Sequence, residues 1–245
     1  MTTIIKLAVS LLAALTLTSC AFDINLGQVR GNGDVITETF TIEESFTGVK
    51  AAAGWNVYLE RGSENKAVAE ADSNIMEILD ISVRGNTLVI KSEGNISRAT
   101  SKKVTVTYTG DLDHLKASSG GQLITREIIK GEQLDLDVSS GGHLSTEAVV
   151  RNITMDASSG GHATIKGSTD DLNVDVSSGG FIKAKDLMAN HVEASASSGG
   201  NADVYAKKSI RGRASSGGNI DYWGNPDDKD IPKKSYSGGS VRAQR

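Results

Sequence analysis

The sequence predicts an all-β protein: a parallel β-solenoid of about seven coils of ~20 residues, preceded by a less regular N-terminal β region. Three observations predict it. Ser-Ser-Gly-Gly recurs at Ser118, Ser139, Ser158, Ser177, Ser197 and Ser215, with a degenerate copy at Tyr236-Ser237-Gly238-Gly239, at spacings of 21, 19, 19, 20, 18 and 21 residues. Apolar residues alternate with polar ones on both sides of these copies. Aromatic residues make up only 4% of the chain, which suits a narrow interior filled by small side chains. The 38% hydrophobic content belongs to an ordered protein rather than a disordered tail.

Taken in order, the chain starts with a targeting segment. Lys6 precedes an apolar run from Leu7 to Leu17, about eleven residues, too short to cross a ~30 Å hydrocarbon core as a helix. Residues 1–19 therefore read as a signal peptide. Its end, Leu17-Thr18-Ser19-Cys20, resembles a bacterial lipobox, and Cys20 is the only cysteine of the chain. Cys20 is the expected lipidation site, residues 20–30 the lipidated cysteine and its tether. Acyl chains contribute about 0.8 kcal/mol per buried methylene, so the expected partner is a membrane held through the lipid anchor. Ala21 and Phe22 do not resemble an inner-membrane retention signal, which points to the outer membrane, on its periplasmic face or at the surface.

Residues 31–110 form the N-terminal β region, either a cap or the first irregular coils. Gly31–Ile42 and Val49–Arg61 read as strands, the latter with Trp55, Val57 and Leu59 on one face. Residues 73–79 read as a short helix or turn capped by Ser73. Ile81–Arg84, Thr87–Ile90 and Lys103–Tyr108 read as further strands, the first two linked by Gly85-Asn86.

Residues 111–245 are the repeat solenoid with its C-terminal cap. Counting back from the serine pairs gives apolar sets such as Leu134, Leu136 and Val138, then Ile153, Met155 and Ala157, then Leu172, Val174 and Val176. Beyond the glycines, Leu144 and Thr146, Ala163 and Ile165, Ile182 and Ala184, and Ala202 and Val204 resume the period of two. Each Gly pair therefore joins two strands at a corner needing positive φ or a close approach to the next coil. Small inward residues such as Ala157, Ala194, Ala196 and Ala214 keep the interior narrow. Trp223 to Pro232 reads as a loop, and Lys233 and Ser235 mark a polar end cap.

At this point the chain resembles the head GIN domain family of auto-transporter-adhesin-like proteins. The matching pieces are Gly31-Asn32-Gly33, Phe46-Thr47-Gly48-Val49 leading into Trp55-Asn56-Val57-Tyr58-Leu59, and Gly85-Asn86-Thr87-Leu88-Val89-Ile90. The Ser-Gly-Gly repeats follow, then Gly224-Asn225-Pro226 and Ser237-Gly238-Gly239. The resemblance covers residues 31–243 and implies a β-helical fold, a lipoprotein signal and an envelope location. It implies no catalytic residue set.

Two rows of titratable residues arise from the period. Asp137, Asp156 and Asp175 precede their serine pairs by two positions and should stack as carboxylates, an arrangement that can recruit calcium. Lys116 before them and Ser195 and Arg213 after them break the row, and no metal site is assigned. His143 and His162 follow the glycines in adjacent coils, at a position that elsewhere holds Gln122, Phe181, Asn201, Asn219 and Ser240. They read as an exposed polar ladder.

No catalytic residue is assigned either. A serine hydrolase elbow needs a strand-to-helix turn, which these corners do not offer. No cofactor is expected beyond the lipid on Cys20; calcium is the ion that the aspartate row would take, and a transition metal the one that His143 and His162 would take. The basic residues are not interleaved with aromatics, which excludes nucleic acid as a partner. Residues 206–245 carry nine Lys/Arg against four Asp, in a chain of net charge −4, so the C-terminal end could touch anionic lipid or polymer. The expected role is non-catalytic, adhesin-like or scaffolding, with a glycan or surface polymer as ligand. A polysaccharide lyase or glycosidase on the same β-helix is the alternative.

Overall fold

The computed structural model describes residues 27–232 and 238–244. Cys20, the signal segment, most of the tether, and Lys233 and Ser235 lie outside the described residues. The chain is almost wholly β and winds into a solenoid of about six turns. Its elements run β1 (Gln28–Arg30), β2 (Val35–Thr41), β3 (Gly48–Ala51), β4 (Asn56–Arg61), β5 (Lys66–Asp72), α1 (Ser73–Met76), β6 (Leu79–Arg84), β7 (Thr87–Ser92), β8 (Asn95–Arg98), β9 (Lys102–Tyr108) and β10 (His114–Ala117). Then come β11 (Gln122–Val138), β12 (His143–Ala157), β13 (His162–Val176), β14 (Phe181–Ala196), β15 (Asn201–Ala214), β16 (Asn219–Trp223), β17 (Asp228–Asp230) and β18 (Ser240–Ala243).

The repeat is one long bent strand per coil, running from one Gly corner to the next. Along β12, Leu144, Thr146, Ala148 and Val150 are buried, and then Ile153, Met155 and Ala157 are. The inward set changes parity across Arg151-Asn152, both exposed, and that polar pair is the bend. Asp170-Asp171 in β13 occupies the same place, and β15 makes the bend over three residues, Lys207 to Ser209. Neighbouring strands pair in parallel and in register, so Leu134, Ile153, Leu172, Val192 and Ile210 stack coil upon coil. All five are buried, and the stack forms one continuous core.

The Ser-Ser-Gly-Gly corners divide their work between residues. The second serine and the first glycine take positive φ: 49° at Ser178 and 71° at Gly179. The amide of Gly180 donates to the Ser177 carbonyl at 2.8 Å, closing a two-residue turn of the I′ kind, whose central residues both require φ above zero. The second glycine serves another purpose. A Cβ on Gly180 would fall 2.6 Å from the Ala157 oxygen of the coil beneath. Close approach of successive corners, and not turn conformation, dictates that residue.

The N-terminal region supplies the first coil and its cover. Val49–Arg61 reads as one strand in sequence, but Ala53 (φ 54°) and Gly54 (φ 72°) form a corner that divides it into β3 and β4. β3 pairs in parallel with β10, and β4 with β11. At the position of the second glycine stands Trp55, and no earlier corner lies beneath it because the chain departs through β8 between β7 and β9. The indole is fully buried and its Nε1–H donates to Ser92 Oγ at 2.8 Å. Beneath this coil, β7 and β9 extend the two walls in parallel, and β6, β5 and β2 close them as antiparallel strands.

Asp72 latches this cover, a role the sequence did not announce. It precedes α1 as its N-cap, in place of the expected Ser73, yet makes no capping bond. Its carboxylate instead accepts from the amides of Gly33 (2.7 Å), Thr100 (2.7 Å) and Ser101 (3.1 Å). A Cβ on Gly31 would sit 2.6 Å from Asp72 Oδ1, so Gly31 and Gly33 are spaced for the latch rather than for the strand read there. Burial raises the Asp72 pKa, but the three amides outweigh it and hold the carboxyl at about 2.

Candidate functional site

The outer surface carries side chains that the period of two forces outward, and parallel register lines them up along the axis at the ~4.8 Å strand spacing. Asp137, Asp156 and Asp175 are in register, as the sequence predicts. Lys116 begins the row and pairs with Asp137. Burial chiefly raises the Asp156 pKa, assisted by Asp175, Asp137 and Asp135, while Lys116 opposes. Among the described residues no three acidic, histidine or cysteine groups converge tightly enough to hold a metal ion.

On the other side of the corners, His143, His162 and Phe181 stack. The imidazole centroids are 5.7 Å apart and 22° from parallel, and the His162 and Phe181 rings follow at 4.9 Å. Burial lowers the His162 pKa, and the charges of His143 and Lys183 add to it. The row continues as an amide ladder. Asn219 Nδ2 donates to Asn201 Oδ1 at 3.1 Å, and Ser240 Oγ donates to Asn219 Oδ1 at 2.7 Å. These groups satisfy one another and stiffen the corner edge.

A histidine–serine pair appears that the sequence reading passed over. His191 Nδ1 lies 2.8 Å from Ser209 Oγ, 18 residues on, between Asp171 and Asp228 in register. Its signal was the repeat spacing itself. The pair is exposed and lines a shallow cleft of about 190 Å³. Parallel ladders on either side engage the amides of these strands. The basic C-terminal end is also partly neutralised, since Asp230 takes Arg213 at 2.7 Å and Arg211 at 3.2 Å.

A third strip runs along the bend and alternates apolar with polar side chains. Lys130, Val149, Ser168, Met188 and Tyr205 follow one another in register. Val149 is 47% exposed and Met188 57%, with Ile128 at 44% two positions before the row's Lys130. Two grooves flank them. One of about 450 Å³ is lined by Arg61, Tyr108, Leu112, Ile128 and Lys130. The other, about 440 Å³, is lined by Val149, Arg151, Ser168, Asp170, Met188 and Asn190 among others. Such a strip is a surface on which an extended chain can lie across several coils. Among the described residues no helix is long and apolar enough to cross a membrane.

The family described as "putative auto-transporter adhesin, head GIN domain" matches residues 45–226. Among solved structures, the chain is similar to a "putative adhesin" from Bacteroides fragilis, 19% identical with a TM-score of 0.79, covering 88% of this chain and all of that one. A "putative lipid binding protein" from Parabacteroides distasonis is 20% identical with a TM-score of 0.65, over 89% of this chain and all of that one. A "putative adhesin" from the same species gives 17% and 0.66 over the same shares. At these identities the likeness is one of fold. No curated protein matches the chain.

Proposed function

The chain belongs to the "putative auto-transporter adhesin, head GIN domain" family, and from that premise we propose that it is a non-catalytic, adhesin-like solenoid of the bacterial cell envelope, anchored through a lipid on Cys20. It binds an extended polymer, a glycan chain of the cell surface or its surroundings, along the bend strip. The observation that carries this reading is the strip itself. Ile128, Val149 and Met188 stand exposed on three of four consecutive coils, with Ser168 on the coil between the last two, beside two grooves lined by these residues and by polar neighbours. Apolar patches rimmed by polar groups mark interaction surfaces. Lys130, Arg151, Asp170 and Asn190 line the grooves and supply hydrogen-bonding groups for hydroxyls or acidic sugars.

The experiment is binding of the protein to immobilised envelope polysaccharide, with Val149→Asp/Met188→Asp as the test variant. Both side chains point to solvent, so the fold should persist by circular dichroism while binding falls at least tenfold. Unchanged binding by the folded variant would overturn the strip. Turnover of the polysaccharide would overturn the non-catalytic assignment. For the anchor, Cys20→Ala should move the protein from the membrane fraction to the soluble fraction.

A further inference from the structure

Away from the bend strip, at the covered end of the solenoid, a cleft of about 760 Å³ opens between the β1–β8 ribbon and the first two corners. Gln28, Asn95 and Ile96 of the ribbon line one side; Ala52, Ala53, Gly54, Ser118 and Ser119 of the corners line the other. Its volume falls within the range of small-molecule sites. Three lysines, Lys50, Lys91 and Lys102, line it against a single acid, Glu93.

These ammonium groups are poorly compensated. Neither Lys50 nor Lys102 has an ion-pair partner among the described residues, and Lys91 reaches only Asp80, at 3.6 Å. Lys102 is partly buried, and burial alone lowers its pKa. Its placement is structural rather than incidental. It follows Thr100 and Ser101, whose amides are fixed by Asp72. A Cβ on Gly54 would sit 2.7 Å from Lys102 Nζ, so the missing side chain leaves room for the ammonium beside the corner.

The rest of the lining is polar and small. Ser92 Oγ already accepts the Trp55 indole proton, which leaves its own O–H free to donate. Asn95, Gln28 and Ser119 add amide and hydroxyl groups. Lysines around a void act as point-charge binders of phosphate, and neutral donors and acceptors beside them suit hydroxyls.

We propose that this cleft binds a phosphorylated polyol, with Lys50, Lys91 and Lys102 surrounding the phosphate and Ser92, Asn95 and Ser119 taking the hydroxyls. The same chemistry occurs in a free phosphate ester and in the headgroup of an anionic lipid. The site shares no residue with the bend strip, so the two proposals stand or fall separately.

The test is calorimetric titration of the full chain in neutral detergent micelles, with sn-glycerol 3-phosphate in one arm and phosphatidylglycerol doped into the micelles in the other. Saturable binding is expected, weakened at least tenfold in Lys50→Gln/Lys102→Gln and unchanged in Lys208→Ala/Lys229→Ala, which alters exposed lysines elsewhere. Saturation by glycerol phosphate assigns a free ester as ligand; saturation by the doped micelles alone assigns the headgroup. Equal melting temperatures for the chain and its variants separate loss of the site from loss of the fold. Absence of saturable binding in both arms, or equal weakening by both pairs of substitutions, would overturn the proposal.

Discussion

The two glycines of each corner should fail for different reasons when given a side chain. Gly180→Ala places a Cβ 2.6 Å from the oxygen and 2.7 Å from the carbonyl carbon of Ala157, both backbone atoms. Relaxed carbon contacts lie near 3.5–4.0 Å, so the two corners must part by more than about 0.5 Å. Parting by that much stretches Ser177 N–H to Ala157 O, now 2.9 Å, and Phe181 N–H to Gly161 O, also 2.9 Å, past useful hydrogen-bond length. Two weakened bonds at about 1 kcal/mol each, plus residual overpacking, give a destabilisation of about 2–4 kcal/mol. Gly179→Ala meets nothing within 4 Å and has only its φ of 71° to maintain, at about 1–2 kcal/mol. Urea unfolding followed by far-ultraviolet circular dichroism measures both. If Gly179→Ala proves the more damaging, close approach of the coils is not what selects the second glycine.

Other expectations follow from the same packing. Ser159 holds φ 49° without the tolerance of asparagine for that region, so Ser159→Asn should stabilise by a few tenths of a kcal/mol, about 0.5 at most, in the same urea assay. Trp55→Ala empties the space at the first corner and should cost about 3–5 kcal/mol, read as a lower denaturation midpoint. The raised Asp156 pKa makes its ionised form unfavourable to the fold above the ordinary carboxylate range. Asp156→Asn should therefore raise the melting temperature at pH 7, and the gain should vanish once the pH falls below 3.8. Asp72 has the opposite sign: its support is present above pH 3.8 and is lost as the pH falls toward 2. Asp72→Asn should lower the melting temperature at pH 7 and flatten its decline across that interval.

What the sequence made legible was whatever the repeat enforces. The inward residues Leu134, Ile153 and Leu172 and the outward rows Asp137–Asp156–Asp175 and His143–His162 follow from period and spacing, because parallel in-register stacking turns equal position into adjacency. The first corner was not legible because Ala52-Ala53-Gly54-Trp55 lacks the serine signature and replaces the second glycine, a substitution that only the absence of an underlying corner explains. The bend was visible in principle, since Arg151-Asn152 and Asp170-Asp171 interrupt the alternation with two polar residues. The Asp72 latch was not, because its donors come from two loops separated from it by 28 to 39 residues. The lysine cleft gathers Lys50, Lys91 and Lys102 from three strands of the non-repeating region, where spacing carries no information about proximity. The bend strip combines both cases: Val149 and Met188 lie on equivalent positions, but only their exposure distinguishes them from core residues.

The proposal that this envelope solenoid meets a glycan outside the cell is tested most directly by staining intact cells with antibody against the repeat region, beside a periplasmic protein as control. Staining of this protein and not of the control is the expected result. Staining of both proteins only after the outer membrane has been permeabilised would contradict it, and would take the bend strip away from any ligand outside the cell.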